Sequence, residues 1–211
     1  MGAVMIAERL ENAAEEPVKA TPENWMFPPV QGWTAAQVED LELPFDWELV
    51  DGVIVVRGRT TVWHNMVRAG IEAALRSCAQ APYVTLSEQC VLIDEQNPPV
   101  PDVVVFDKQG VDVLEAKHIP VEKAVLVVEV VSPGSRQEDR VRKPAMYAAA
   151  GVQFYWRVEQ GEGGLPEVHE FWLPVEQQTY IPAPLHPVHR EKLETEAPFP
   201  IAIDLAGLVE L

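Results

Sequence analysis

The order of apolar and polar positions predicts several short strands and a few helices. Two apolar runs of strand length, VPDVVVF at 100–106 and AVLVVEVV at 124–131, occupy the middle of the chain. The segment WELV, Asp51-Gly52, VIVVRG predicts a β-hairpin, because Asp-Gly favours the positive φ angles of a tight turn. Further patterns predict one strand over 83–93 and three more over 152–158, 167–173 and 178–182.

Helical spacing predicts two helices in the first half of the chain. The sequence Thr34-Ala-Ala-Gln37 fits a capping box and predicts a helix that ends by Leu41. Apolar residues at spacings of three and four predict an amphipathic helix over 62–78. His64 and Arg68 are expected on its polar face.

A third helix is predicted over 137–150, after the turn SPGS, with Gly151 as its stop. Pro144 requires either a later helix start or a kink. Helices interspersed with groups of strands indicate an α+β (α/β-like) fold, in which helices flank a mixed central β-sheet.

The length and composition fit one domain. A chain of 211 residues with 47% hydrophobic residues can bury a sizeable core. We expect an acidic, flexible arm over 1–24 and a single domain over 25–211. The acidic N-terminus and the lack of a long apolar run predict a cytoplasmic protein without a membrane segment. Cys78 and Cys90 have no C-x-x-C spacing, so reduced thiols are expected rather than a zinc site.

The net charge of −17 limits any role with nucleic acid, because phosphate binding depends mainly on Lys and Arg. Basic residues do gather near 57–68 and 136–143, where they could create a local positive field. If DNA is the partner, weak nonspecific affinity is expected.

Asp102 and Glu129 are the first candidates for chemistry, since each interrupts an apolar run. Burying an ionised group costs several kcal/mol unless it is paired or binds a metal. Mg²⁺ prefers one or two carboxylates and keeps several waters, and the backbone carbonyl of Val130 could be a further ligand. The pattern therefore predicts a site for Mg²⁺ or Mn²⁺. The alternative is that each acid is a strand-end residue paired with a surface base.

Lys143 could orient an attacking water or neutralise charge on a phosphate, or it could be an ordinary solvated helix lysine. Helical spacing predicts that Arg140 and Tyr147 share its face. Glu48 could reach inward as a third acid, although alternation along the hairpin favours an outward position.

Substrate contacts are expected from basic side chains near these acids. His64, Arg68 and Arg140 are the candidates, and the alternative for His64 is a simple polar-face residue. The aromatic segments FYW and EFW are expected in the core rather than stacked on bases.

Taken together, five ordered blocks resemble the Uma2 family, also called DUF820, of restriction-endonuclease-like proteins. The blocks are LPFDWELVDG, His64 in its helix, PDVVVF, VVEVVSPGS and DRVRKPAMYAAAGVQFYW. The resemblance covers about 34–158, with a weaker echo in IAIDLAGL. It implies the PD-(D/E)XK nuclease fold and metal-dependent DNA cleavage.

The resemblance also implies roles for individual positions. Asp102 matches the first metal-binding acid, Glu129 matches the acid of the second half-motif, and Glu48 matches a recurring acid before Asp-Gly. The wider superfamily has a lysine two places after the second acid, where this chain has Val131. Lys143, in the pattern D-R-x-x-K, corresponds to a displaced substitute.

The expected function is a Mg²⁺- or Mn²⁺-dependent endodeoxyribonuclease, and a homodimer through the apolar C-terminal strands is expected. Two alternatives stay open because of Val131. One is a catalytically silent relative that binds nucleic acid or a protein partner, and the other is a non-catalytic assembly module.

Overall fold

A computed structural model describes residues 18–210. Within these residues there are three α-helices: α1 (Ala35–Val38), α2 (Val62–Cys78) and α3 (Lys143–Ala149). The strands are β1 (Trp47–Val50), β2 (Val53–Val56), β3 (Tyr83–Ser87), β4 (Val91–Leu92), β5 (Val103–Asp107), β6 (Ile119–Pro120), β7 (Ala124–Val130), β8 (Phe154–Gln160), β9 (Pro166–Trp172), β10 (Ile181–Pro182), β11 (Val188–His189), β12 (Lys192–Thr195) and β13 (Ile201–Asp204).

A central mixed sheet organises the molecule. Its strand order is β10-β9-β8-β7-β5-β3, and β11 also pairs with β9. Strands β7 and β8 are parallel, whereas the other neighbours in this sheet are antiparallel. The predicted α+β fold with a mixed central sheet and flanking helices is confirmed.

Side chains alternate along each strand, so they project from both faces of the sheet. Both faces are covered by other parts of the molecule. On one face, Val103 and Val105 of β5 pack with Val67, Ile71 and Leu75 of α2. All five side chains are fully buried, and each contributes about 1.5–3 kcal/mol of transfer free energy. The opposite face packs against α3, which fixes where α3 meets the sheet.

The hairpin β1–β2 forms as predicted, with Asp51 and Gly52 at positive φ angles of 48° and 73°. Leu49 and Ile54 of the hairpin, together with Trp33, form a separate small cluster with α1. This packing holds the hairpin beside the central sheet.

The expected N-terminal arm lies partly outside the described residues. Of the segment 1–24, residues 1–17 are not described. Ala20 is buried, and its N–H donates to the Gln37 carbonyl at 2.9 Å, so 18–24 contacts α1. The division into 1–24 and 25–211 stays a prediction.

The prediction of one continuous strand over 83–93 is wrong. It is divided into β3 and β4 at Glu88, whose φ of 49° turns the chain. Strand β4 leaves the central sheet and pairs in parallel with β6. Four strands were not predicted, because β6 and β11 have two residues each and β12 and β13 are short and half-polar.

Pro144 is accommodated by a π-helical segment, Glu138–Arg142, that leads directly into α3. The Lys143 N–H donates to the Glu138 carbonyl five residues earlier. A wider turn suits Pro144, since proline has no N–H and its ring crowds the carbonyl four residues before it.

The extra residue in this turn changes which side chains share a face of the helix, so the expectation that Arg140 lies beside Lys143 and Tyr147 is wrong. Lys143 and Tyr147 are buried, but the side chain of Arg140 is 44% exposed and points away from them. Arg140 therefore does not share their face. Outside this region, α2 has the predicted bounds.

No helix within residues 18–210 is long and apolar enough to cross a membrane. Cys78 and Cys90 are free thiols. The aromatic residues Tyr155 and Trp156 are fully buried in the core, as expected.

Candidate active site

A cavity of about 130 Å³ lies where the central strands meet the hairpin and the π-helical segment. Asp102 and Glu129 both line it. Strands β5 and β7 pair Val103 with Val128, so one position further along the ladder Asp102 faces Glu129. Directly opposed residues of an antiparallel pair project to the same face, which brings the two carboxylates together. They are 3% and 1% exposed.

Asp102 is held as a carboxylate by two contacts to Oδ2. Nε2 of His64 lies 3.2 Å away, and the Val130 N–H donates at 2.6 Å. Burial alone raises the pKa of Asp102, but these two contacts outweigh burial and bring its pKa below the ordinary value.

His64 is buried at 4% exposure, which corrects the expectation of a polar-face residue. The buried side chains of α2 follow one another at spacings of three and four, from His64 to Val67 and Ile71. The apolar pattern missed His64 because histidine is a polar residue on this buried face. His64 contacts Asp102 and fills the space between α2 and the end of β5.

Glu129 lies deeper than Asp102. Its Oε1 is 3.0 Å from Nζ of Lys143 and accepts a hydrogen bond of 3.3 Å from the Tyr147 hydroxyl. Burial raises its pKa well above the ordinary value; the Lys143 charge opposes this, and nearby carboxylates including Asp139 add to it. The Lys143 charge therefore offsets burial only in part, and a further positive charge in the cavity would favour the ionised form of Glu129.

Lys143 is a buried cation at the centre of the site. Its Nζ lies 3.0 Å from Glu129, 3.6 Å from Asp139 and 3.7 Å from Glu48. Burial lowers its pKa, but the surrounding carboxylates outweigh burial and raise the pKa above the ordinary value. Lys143 thus stays protonated and cannot serve as a base. The alternative of a solvated helix lysine is wrong, since the residue is 5% exposed.

Glu48 points inward, so the outward position favoured by alternation is wrong. Its side chain is 12% exposed, and Oε1 lies 3.3 Å from Nε of Arg57 and 3.7 Å from Nζ of Lys143. The hairpin is not part of the central sheet, and its other face is covered by the cluster around Leu49. The face that looked outward in the hairpin alone therefore covers the cavity.

Two expected substrate-contact residues lie outside the cavity lining. Arg68 on α2 pairs with Glu88 at 2.9 Å. Arg140 pairs with Glu159 on β8. Both arginines are thus engaged by carboxylates away from Asp102, and their contact with substrate stays a prediction.

Asp139 is a site residue that was not predicted from the sequence. It is 2% exposed, lines the cavity, and accepts a hydrogen bond from the Ser135 hydroxyl. The spacing of four residues between Asp139 and Lys143 was the available signal. Arg57 was seen only as part of a basic cluster.

The donors in this cavity fit a hard divalent cation. Within the described part of the chain, Oδ1 of Asp102 and Oε2 of Glu129 take part in no hydrogen bond or ion pair. Neither atom is fully enclosed, and both residues line the cavity. Over residues 18–210, no group of three or more His, Cys, Asp or Glu side chains is arranged for a metal. Two carboxylates with retained waters are the donor set that Mg²⁺ commonly takes.

The charges in the cavity are not balanced. Five carboxylates line it; Glu138 is 46% exposed and pairs with Arg142, which leaves four largely buried ones against the two cations Arg57 and Lys143. An uncompensated buried charge is costly, so the balance favours either protonation or a bound cation. The carboxylates are Glu48, Asp102, Glu129, Glu138 and Asp139.

A mixed sheet that carries opposed carboxylates into one cavity beside a lysine belongs to the restriction-endonuclease-like class. The family model "Uma2: Putative restriction endonuclease" matches residues 35–206. The chain therefore belongs to the Uma2 family.

A solved structure supports the same fold. It is described as a "putative nuclease belonging to DUF820" from Anabaena variabilis ATCC 29413. The two share a TM-score of 0.56 and 18% sequence identity, over 68% of this chain and 81% of that one. No curated protein matches the chain.

Proposed function

We propose that this protein is a divalent-metal-dependent endodeoxyribonuclease that hydrolyses phosphodiester bonds in DNA, with Mg²⁺ or Mn²⁺ as its metal. The observation that carries the proposal is the set of buried carboxylates around one ammonium, with more negative charge than Arg57 and Lys143 balance. Membership in the Uma2 family supports the same reaction class.

Asp102 and Glu129 would hold the metal through Oδ1 and Oε2. The carbonyl of Val130 is a further candidate, because the N–H and C=O of one strand residue point to the same side and the Val130 N–H points at Asp102. When bound, such a metal supplies Lewis-acid activation of the phosphoryl oxygen and of a water.

The other side chains prepare these ligands. His64 fixes the orientation of Asp102, and partners of this kind usually affect metal affinity. Lys143, as a permanent point charge, would stabilise negative charge on the phosphate in the transition state. Glu48 would hold Arg57 and Lys143 at the cavity.

The proposed DNA substrate has to be compatible with a net charge of −17. A bound divalent cation reduces the repulsion at the cavity, while the rest of the surface keeps nonspecific DNA affinity weak and salt-dependent. A homodimer through the C-terminal strands would double the number of contacts to a duplex.

Plasmid cleavage tests the proposal. Supercoiled DNA is incubated with wild type, Asp102→Ala and Glu129→Ala in Mg²⁺ or Mn²⁺, and Asp40→Ala serves as control because Asp40 is an exposed acid outside the cavity lining. We expect nicking by wild type and the control, a loss of at least about 100-fold in the two site variants, and complete inhibition by EDTA.

Equal rates in all four proteins would exclude the mechanism. The catalytically silent alternative predicts that wild type shifts DNA in a gel without cutting it. DNA binding without any cleavage would support this alternative. It is the result expected if Val131 stands where an active nuclease has its motif lysine.

A further inference from the structure

Asp139 is a buried carboxylate for which the proposed function has no use. Its Oδ1 is enclosed and accepts no hydrogen bond. That oxygen lies 3.6 Å from Nζ of Lys143, a distance that suits an ion pair rather than a hydrogen bond. A buried oxygen without a hydrogen bond destabilises the fold. The orientation of Oδ1 toward the ammonium therefore calls for a functional explanation.

Three contacts hold Asp139 on the sides away from the ammonium. Its N–H donates to the Ser135 carbonyl at 2.9 Å, and the Ser135 hydroxyl donates to Oδ2. The buried hydroxyl of Tyr155 donates to the Asp139 carbonyl at 2.7 Å. Because the backbone and Oδ2 are fixed, Oδ1 is left facing Lys143.

The Lys143 ammonium is surrounded from three separate elements. Glu129 approaches from β7, Glu48 from β1 and Asp139 from the π-helical segment. A lysine side chain is long and flexible, so one carboxylate would not define the position of its amine. Three carboxylates in different directions do define it. Loss of Asp139 would leave the amine with two of its three carboxylates, so its position beside Glu129 would be less firmly fixed.

We propose that Asp139 is a positioning residue that holds the Lys143 ammonium beside Glu129, at the place where charge develops on the phosphate. The inference rests on the proposed nuclease function. Asp139 acts through Lys143 and does not hold the metal, which separates it from Asp102 and Glu129.

Steady-state kinetics with Mn²⁺ test this role in Asp139→Asn, with Asp40→Asn as the matched control for the same chemical change at an exposed site. We expect kcat to fall about 10–100-fold in Asp139→Asn, because small displacements of a catalytic group have effects of that size. KM for DNA and the Kd for Mn²⁺ should stay within about threefold of wild type. An unchanged kcat overturns the inference. A loss of Mn²⁺ affinity as large as the loss of kcat also overturns it, since Asp139 would then be a ligand.

Ser135→Ala gives a second variant if Asp139→Asn fails to fold, as judged by circular dichroism. It removes the hydroxyl that holds Oδ2 and leaves the carboxylate in place. The same pattern is expected at a smaller size, with kcat down about 3–10-fold at unchanged Mn²⁺ affinity. Wild-type kcat in Ser135→Ala, with Asp139→Asn unfolded, counts against the inference.

A measurement without metal or DNA separates this inference from the proposed function. Exchange of the ammonium protons with water is followed by NMR in protein labelled with ¹⁵N-lysine, and the Lys143 signal is assigned from its absence in Lys143→Met. We expect exchange at least about tenfold faster in Asp139→Asn than in wild type or Asp40→Asn, because the amine is held less firmly. Equal exchange rates overturn the positioning role. If wild type never cleaves DNA but the exchange difference is present, the nuclease proposal fails while the contact stands.

Discussion

Replacement of Lys143 by methionine removes the charge at the centre of the cavity and keeps a side chain of similar length. Glu129 and Asp139, which are 1% and 2% exposed, then lose an ammonium at 3.0 and 3.6 Å. Removal of one partner from a buried ion pair costs about 3–5 kcal/mol. For a domain of this size each kcal/mol lowers Tm by about 2–4 °C, so we expect Tm to fall by about 6–20 °C at pH 8.

The sign of the pH dependence follows from the carboxyl groups. Burial raises the pKa of Glu129 and of Asp139, and the Lys143 charge partly opposes both shifts. A carboxyl whose folded pKa lies above its unfolded value destabilises the fold at high pH, and this penalty is lost as the pH falls through the folded pKa toward the unfolded one. Without Lys143 both pKa values rise further. The stability gap between variant and wild type should therefore be larger at pH 8 than at pH 5.

Urea unfolding at pH 8, 7, 6 and 5, followed by circular dichroism, measures this gap. Lys117→Met is the control, because Lys117 is 70% exposed in a surface ion pair with Glu39 and should change stability little at any pH. If the variant's free energy of unfolding at pH 8 equals that of wild type, Lys143 does not stabilise the buried carboxylates. A gap that does not vary with pH would show that the carboxylates do not carry it.

Three further predictions concern other parts of the molecule. His64→Gln removes the ring from Asp102 and should weaken Mn²⁺ binding about 10–100-fold by calorimetry; an unchanged Kd contradicts its orienting role. Gly52→Ala places a Cβ 2.7 Å from the Gly32 Cα at a φ of 73° and should cost about 1–3 kcal/mol in urea, where an unchanged midpoint argues against the close approach. Glu170→Gln should lower the free energy of unfolding by about 1–3 kcal/mol in the same assay, because three neighbouring side chains form hydrogen bonds with the Glu170 carboxylate. An unchanged free energy of unfolding would show that these hydrogen bonds do not need its charge.

Local signals in the sequence account well for some elements. Apolar spacing predicted the bounds of α2, and Asp51-Gly52 predicted the hairpin, because both depend on neighbours in the chain. The apolar runs around Asp102 and Glu129 predicted two central strands for the same reason. The pairing of β12 with β13 could not be predicted, since short half-polar strands acquire their register only from tertiary contacts.

The candidate site shows the same division. Asp102 and Glu129 were visible as acids within apolar runs. The burial of His64 and the inward position of Glu48 depend on how α2 and the hairpin pack against the sheet, which periodicity within one element does not contain. Asp139 reaches the cavity through the π-helical segment, and only Pro144 gave a hint of irregular helix there.

The proposed mechanism requires that Asp102 and Glu129 hold one divalent cation. Crystals soaked in Mn²⁺ and measured near the manganese absorption edge test it directly. We expect an anomalous density peak between Oδ1 of Asp102 and Oε2 of Glu129, within about 2.0–2.3 Å of both, that is absent in Asp102→Ala. A complete data set without an anomalous peak in this cavity, at a Mn²⁺ concentration at which the protein cleaves DNA, would rule out this metal site.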